Sequence, residues 1–108
     1  MLYWLYLTGA IILEVAGTTS MKLSEGFTKT IPSILMFVFY ILSLVCLTYA
    51  LKKIDVGAAY AIWAGAGTAL IAIIGIYFFH EPVTLLKIGS IALIIVGVAG
   101  LHLGSSFH

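Results

Sequence analysis

The stretch YLTGAIILEVAGTTSMK, from Tyr6 to Lys22, holds one acid, Glu14, among apolar and small residues. On a wet helix face a lone glutamate signifies nothing. Inside lipid, an ionised carboxylate costs roughly 2.5–3.5 kcal/mol on insertion scales, so such acids face a cavity or a partner. No basic residue lies in the interior of an apolar run to neutralise it. A carboxylate so placed suits reversible binding of a proton or of a cation. The structural alternative is a permanently protonated glutamate making one hydrogen bond. At three-, four- and seven-residue spacings Glu14 shares a helix face with Leu7, Ala10, Ile11, Gly17, Thr18 and Met21. Ala10, Gly17 and Thr18 are small enough to let a backbone or a ligand approach, and the Thr18 hydroxyl is in register to donate to the carboxylate.

Aromatic side chains are the second feature. Tyr40, Tyr60 and Trp63 fall inside apolar runs, with Tyr60 and Trp63 three apart on one face, whereas Trp4 lies nearer an end and reads as part of an interfacial belt. Beside a buried anion, aromatic faces suit a greasy organic cation. Without the acid, the same pair would read as packing. Glycines are the third feature. Gly65 and Gly67 sit mid-run as candidate hinges, where protected backbone permits a bend. Ser90, Leu93, Gly97, Gly100 and Gly104 repeat with a 3-4-3-4 rhythm, a small-residue seam suited to helix packing in lipid and hence to dimerisation. His80 and His102 are isolated. No nucleophile–base pair, metal-ligand cluster or phosphate loop is present, so neither catalysis nor a bound metal is expected.

The elements that must position these groups follow from composition. The chain of 108 residues is 63% hydrophobic and 8% charged, with a mean hydropathy of +1.23. A soluble domain carries roughly 25% charge, so the solvent of this surface is lipid. There is no arginine, and a net charge of +1 with scattered lysines gives no footprint for nucleic acid. Cys46, the single cysteine, reads as apolar filler. A cleavable leader is not expected, since no Lys or Arg precedes the first run and Glu14 interrupts it. A bilayer core of about 30 Å needs roughly 20 apolar residues of helix. Four runs reach that length: Leu2–Met21, Pro32–Leu51, Val56–Phe79 and Leu86–Leu103. Pro32 suits the first position of its helix, Lys52 and Lys53 the C-terminus of the second, and Asp55 the N-cap of the third. The connections are short, so consecutive helices must run antiparallel. The expectation is an all-α protein with four transmembrane helices in a single domain. Lys52 and Lys53 lie on one side of the bilayer, and Lys22, Lys29 and Lys87 on the other. That near tie leaves orientation weakly specified. It admits a chain that inserts both ways and pairs with its own inverted copy, or one held in a fixed topology by other factors.

EVAGTTSMKLSEGFT (Glu14–Thr28) and GAAYAIWAGAG (Gly57–Gly67) together resemble the small multidrug resistance family of bacterial inner-membrane exporters, over the whole chain. The resemblance implies proton-coupled antiport of organic cations by an antiparallel dimer, with Glu14 of each subunit binding either protons or drug and no other cofactor. By motif position it implies that Tyr60 and Trp63 line the binding chamber, with Tyr40, Ser43 and Thr18 around it. Trp4 falls where the family often has tyrosine, which keeps stacking and removes a hydroxyl. GTTSMK after the glutamate resembles the quaternary-ammonium branch, whereas guanidinium exporters typically carry tryptophan where Gly17 stands. Export of guanidinium or small polyamines, and an obligate heterodimer with a sister chain, remain as alternatives. A proton-carrying proteolipid subunit is a further class, disfavoured by four spans and the aromatic residues.

Overall fold

The computed structural model of the chain describes residues 2–106. Within them lie four helices in the order α1 (Leu2–Leu23), α2 (Thr30–Ala50), α3 (Val56–Phe78) and α4 (Leu85–Ser106), and no strand. Each contains a stretch long and apolar enough to cross a membrane. The starts at Leu2 and Val56 coincide with the sequence expectation, α2 and α3 end one residue earlier, and the remaining ends extend one to three residues beyond it, where the backbone ladder continues past the apolar run. Pro32 is consequently the third residue of α2, not the first. It remains in the opening turn, where its missing N–H leaves no bond unmade. Lys52 and Lys53 lie in the turn beyond α2, not in its last turn. Asp55 does occupy the N-cap of α3, but its side chain makes no capping hydrogen bond.

The chain divides into two compact units between Ile54 and Asp55. In the first, α1 buries Leu7, Ala10, Ile11, Val15, Gly17 and Ser20, and α2 buries Met36, Ser43 and Ala50. The turn that joins them is built on Ser24, which is 1% exposed. Its carbonyl accepts the Thr28 and Lys29 amides, while its Oγ donates to the Met21 carbonyl and accepts from the Phe27 amide. This network holds three consecutive residues at positive φ: Glu25 (47°), Gly26 (69°) and Phe27 (68°). Only Gly26 adopts that region freely. Phe27 gains a stacked contact with Phe37, centroids 6.2 Å apart, and Glu25 an ion pair with Lys29 at 3.3 Å. At the opposite end Tyr6 stacks on Tyr49 at 5.3 Å, with Lys52 over the Tyr49 ring.

In the second unit α3 buries Ala59, Ile62, Gly67, Ala69 and Gly75, whereas α4 buries no residue among those described. The α3–α4 turn folds Glu81 back over the end of α3. Its amide bonds the Gly75 carbonyl at 3.1 Å, and its carboxylate occupies the space where a side chain at position 75 would stand. Lys87 closes this turn, 3.8 Å from Glu81 and 3.1 Å from the Pro82 carbonyl.

Candidate cation- and proton-binding site

Glu14 sits near the middle of α1, half-buried. Thr18, one turn on, donates its hydroxyl hydrogen to Glu14 Oε1 at 2.9 Å. A threonine has a single hydroxyl hydrogen, so the Tyr40 hydroxyl, 2.6 Å from Thr18 Oγ1, is the donor in that second bond. The result is an oriented chain from Tyr40 of α2 through Thr18 to Glu14 of α1. Tyr40 reaches this place because Gly17 has no side chain. An ideal Cβ at position 17 would lie 3.0–3.3 Å from three atoms of the Tyr40 ring. Lys29 pairs with Glu25, but Glu14 meets no cationic side chain among the described residues of the α1–α2 unit.

Ser43, which the resemblance sets around the chamber, makes a packing contact. It is 1% exposed, and its hydroxyl donates to the Ala10 carbonyl at 2.6 Å, so it fastens α2 to α1. Trp4 stands ten residues before Glu14, about 15 Å along the helix axis, with its carbonyl accepting the Thr8 hydroxyl. The structure thus brings together Glu14, Thr18 and Tyr40, and sets Trp4 apart from them.

In the second unit Tyr60 and Trp63 form an edge-on pair, ring centroids 5.5 Å apart and planes at 64°. Tyr60 is exposed, while Trp63 Nε1 is buried and meets no hydrogen-bond acceptor. Buried donors are nearly always paired in a finished site. The helix runs unbroken through Gly65 and Gly67. Gly65 serves as a point of close approach: an ideal Cβ there would lie 2.8 Å from Val98 Cγ2 and 3.4 Å from Ile94 Cγ2 of α4. Below it lies an apolar crevice of about 270 Å³ between Ala66, Ala69, Leu70, Ile73, Ile95 and Val98. Ser90, Leu93, Gly97, Gly100 and Gly104 are all exposed, along a flank of α4 that adjoins the face carrying Ile94 and Val98. No group of three or more His, Cys, Asp or Glu is disposed to hold a metal among the described residues.

Sequence reasoning found the Glu14–Thr18 bond from its i, i+4 spacing. It missed the seating of Tyr40 on Gly17, because which turns of two helices meet is not written in either helix alone.

The sequence model of the Small Multidrug Resistance protein family matches residues 2–94. Over 100 residues the chain is 56% identical to the uncharacterized membrane protein YvaE of Bacillus subtilis (strain 168), covering 93% of this chain and 84% of that one. It is 44% identical over 98 residues to the multidrug resistance protein EbrB of the same organism, covering 91% and 84%. To a guanidinium exporter of Proteus vulgaris it is 39% identical over 102 residues, covering 94% and 98%.

Proposed function

Because this chain belongs to the Small Multidrug Resistance family, a multi-pass protein of the bacterial inner membrane, we propose that it exports lipophilic, quaternary-ammonium-type organic cations in exchange for protons. The observation that carries this reading is Glu14: a carboxylate at mid-helix whose partner is a neutral hydroxyl and which meets no cationic side chain among the described residues of its own unit. A charge left without a counter-charge in lipid must take one from outside, as a proton or as an organic cation. One group that accepts either, but not both, couples the two flows. Tyr60 and Trp63 supply aromatic faces to such a cation. Trp63 Nε1, buried without an acceptor, supports a role for that pair beyond packing.

The working unit in this reading is an antiparallel dimer, with the exposed small-residue seam of α4 as its packing surface. The lysine counts on the two sides permit a homodimer of oppositely inserted copies. Labelling of a single loop cysteine from both faces of the membrane in comparable amounts supports that form, and labelling from one face supports a sister chain instead.

A second reading, guanidinium export, is favoured by the relatives that carry that name. Against it, position 17 holds glycine, with the Tyr40 ring filling the space beside it.

The deciding experiment is a titration with tetraphenylphosphonium at several pH values, run on the parent protein, Glu14→Gln and Glu14→Asp in one detergent. In the parent, affinity falls as pH falls, because a proton then occupies the carboxylate. Glu14→Gln keeps the size, cannot ionise, and loses cation binding and exchange while still folding. Glu14→Asp stays pH-dependent and transports more weakly, its charge withdrawn by one methylene. Parent-like affinity and pH profile in Glu14→Gln would overturn the proposed role.

A further inference from the structure

We propose that Tyr40, seated on Gly17, selects the class of cation by fixing Thr18 onto one oxygen of Glu14. This inference rests on Glu14 being the cation-binding group, as proposed above. The Thr18 hydroxyl has one hydrogen, and it is spent on Glu14 Oε1; Tyr40 supplies the hydrogen that Thr18 accepts. The Thr18 side chain therefore cannot rotate about χ1 to carry Oγ1 away from the carboxylate without breaking a 2.6 Å bond to Tyr40. Oε1 has one of its two lone pairs spent on Thr18, whereas both lone pairs of Oε2 are left for an incoming group.

Cations differ in how much this matters. A guanidinium presents two parallel N–H groups and gains most from a carboxylate with both oxygens free. With Oε1 engaged, the second arm of that fork competes with a hydrogen bond already made. A quaternary ammonium or phosphonium has no N–H to place. It is held by charge and by aromatic faces, and an occupied Oε1 takes little from it. The Tyr40–Thr18 chain thus works as a filter against forked donors.

Gly17 is the position that permits the filter. With a Cβ at 3.0–3.3 Å from three ring atoms, the smallest side chain there requires the Tyr40 ring to give by a few tenths of an ångström, and a bulkier one requires more. Tyr40 and Gly17 are therefore positioning residues that act as a pair. Glycine at 17 and the hydrogen-bonded Tyr40 belong together, and bulk at 17 excludes this placement of the ring.

The test uses the full-length protein in mild detergent at one alkaline pH, titrated with tetraphenylphosphonium and, separately, phenylguanidinium. The proteins compared are the parent, Tyr40→Phe, Thr18→Val, Gly17→Ala and the Gly17→Ala/Tyr40→Phe double variant. Freeing Glu14 Oε1 of its bond from Thr18, directly in Thr18→Val and through loss of the Tyr40 anchor in Tyr40→Phe, predicts that the affinity ratio moves toward phenylguanidinium by roughly fivefold to tenfold. Gly17→Ala moves it the same way, and adds nothing once Tyr40 is phenylalanine. General damage to the fold weakens both probes together and leaves the ratio still, which would overturn the proposal. So would full additivity of Gly17→Ala and Tyr40→Phe, since Gly17 would then act by another route. Should Gly17→Ala fail to fold, the ratio in Tyr40→Phe and Thr18→Val decides alone. A parent that binds neither probe overturns the cation-binding reading itself, whereas a parent that binds with an unmoved ratio in the variants overturns only the filter.

Discussion

The α1–α2 unit and the α3–α4 unit are built from helices of almost equal length, 22 and 21 residues against 23 and 22. In the first, hydroxyls cross between the helices: Ser43 to the Ala10 carbonyl, and Tyr40 to Thr18. Aromatic stacks close both ends, Tyr6 on Tyr49 and Phe27 on Phe37. In the second, Gly65 lets α3 approach two β-branched side chains of α4, and hydrogen bonds of Glu81 to Gly75 and of Lys87 to Pro82 hold the turn. None of the described residues of α4 is buried, and its small-residue seam lies open. Lipid tails are as apolar as leucine, so burial alone does not drive helices together in a membrane; close backbone approach and interhelical hydrogen bonds do. By that measure the first unit is stitched within itself, which suits an element that must hold a carboxylate in one orientation. The second keeps its small-residue surface unused, which suits an element that packs against a second copy.

The contrast can be broken most severely at Gly65. Leucine there drives a side chain into Val98 and Ile94, and overpacking of this kind costs about 1–3 kcal/mol. Gly65→Leu should lower the melting temperature of the detergent-solubilised protein clearly. An unchanged melting temperature would show that α3 and α4 do not meet through this glycine. Gly97→Leu probes the open flank of α4. An ideal Cβ at Gly97 meets nothing within 4 Å, so the chain's own packing has no cause to suffer. Association should weaken on the order of tenfold, equivalent to about 1.4 kcal/mol, read as the monomer–dimer balance in mild detergent. A Gly97→Leu protein that stays a full dimer removes the seam from the interface.

How much of this was legible in the sequence depends on whether a feature belongs to one helix or to two. The four spans, the acid at mid-span and the Glu14–Thr18 bond are properties of single helices, and length and periodicity carry them. The α4 rhythm is of the same kind: Ser90 to Gly104 does fall on one exposed stripe. Ser43 and Gly65 show the difference in a common way. Each was read for what it could offer a ligand or a bend, and each is occupied by a neighbouring helix, at the Ala10 carbonyl and at Val98. Interhelical register is set by the fit of two surfaces, which neither sequence stretch encodes alone. The α1–α2 turn escaped for a related reason. GFT announces one left-handed residue at Gly26, but the buried Ser24 holds Glu25 and Phe27 there as well.

The smallest expected effect tests the first unit and decides what Ser43 does. Family resemblance sets this serine around the binding chamber, whereas the structure buries it and points its hydroxyl at a backbone carbonyl of α1. In the α-helical ladder the Ala10 carbonyl also faces the amide four residues on. Removing the serine hydroxyl therefore leaves no unsatisfied group behind, and the loss is that of one interhelical bond. Such bonds within membranes average about 0.6 kcal/mol. Ser43→Ala should lower the melting temperature slightly and leave tetraphenylphosphonium affinity within about twofold of the parent, a change below half of one tenfold step. Both quantities are measured on the same detergent sample. A large fall in affinity with an unchanged melting temperature would return Ser43 to the ligand. It would also weaken the contrast between the two units, because one of the hydroxyl cross-links of the first would then belong to binding and not to packing.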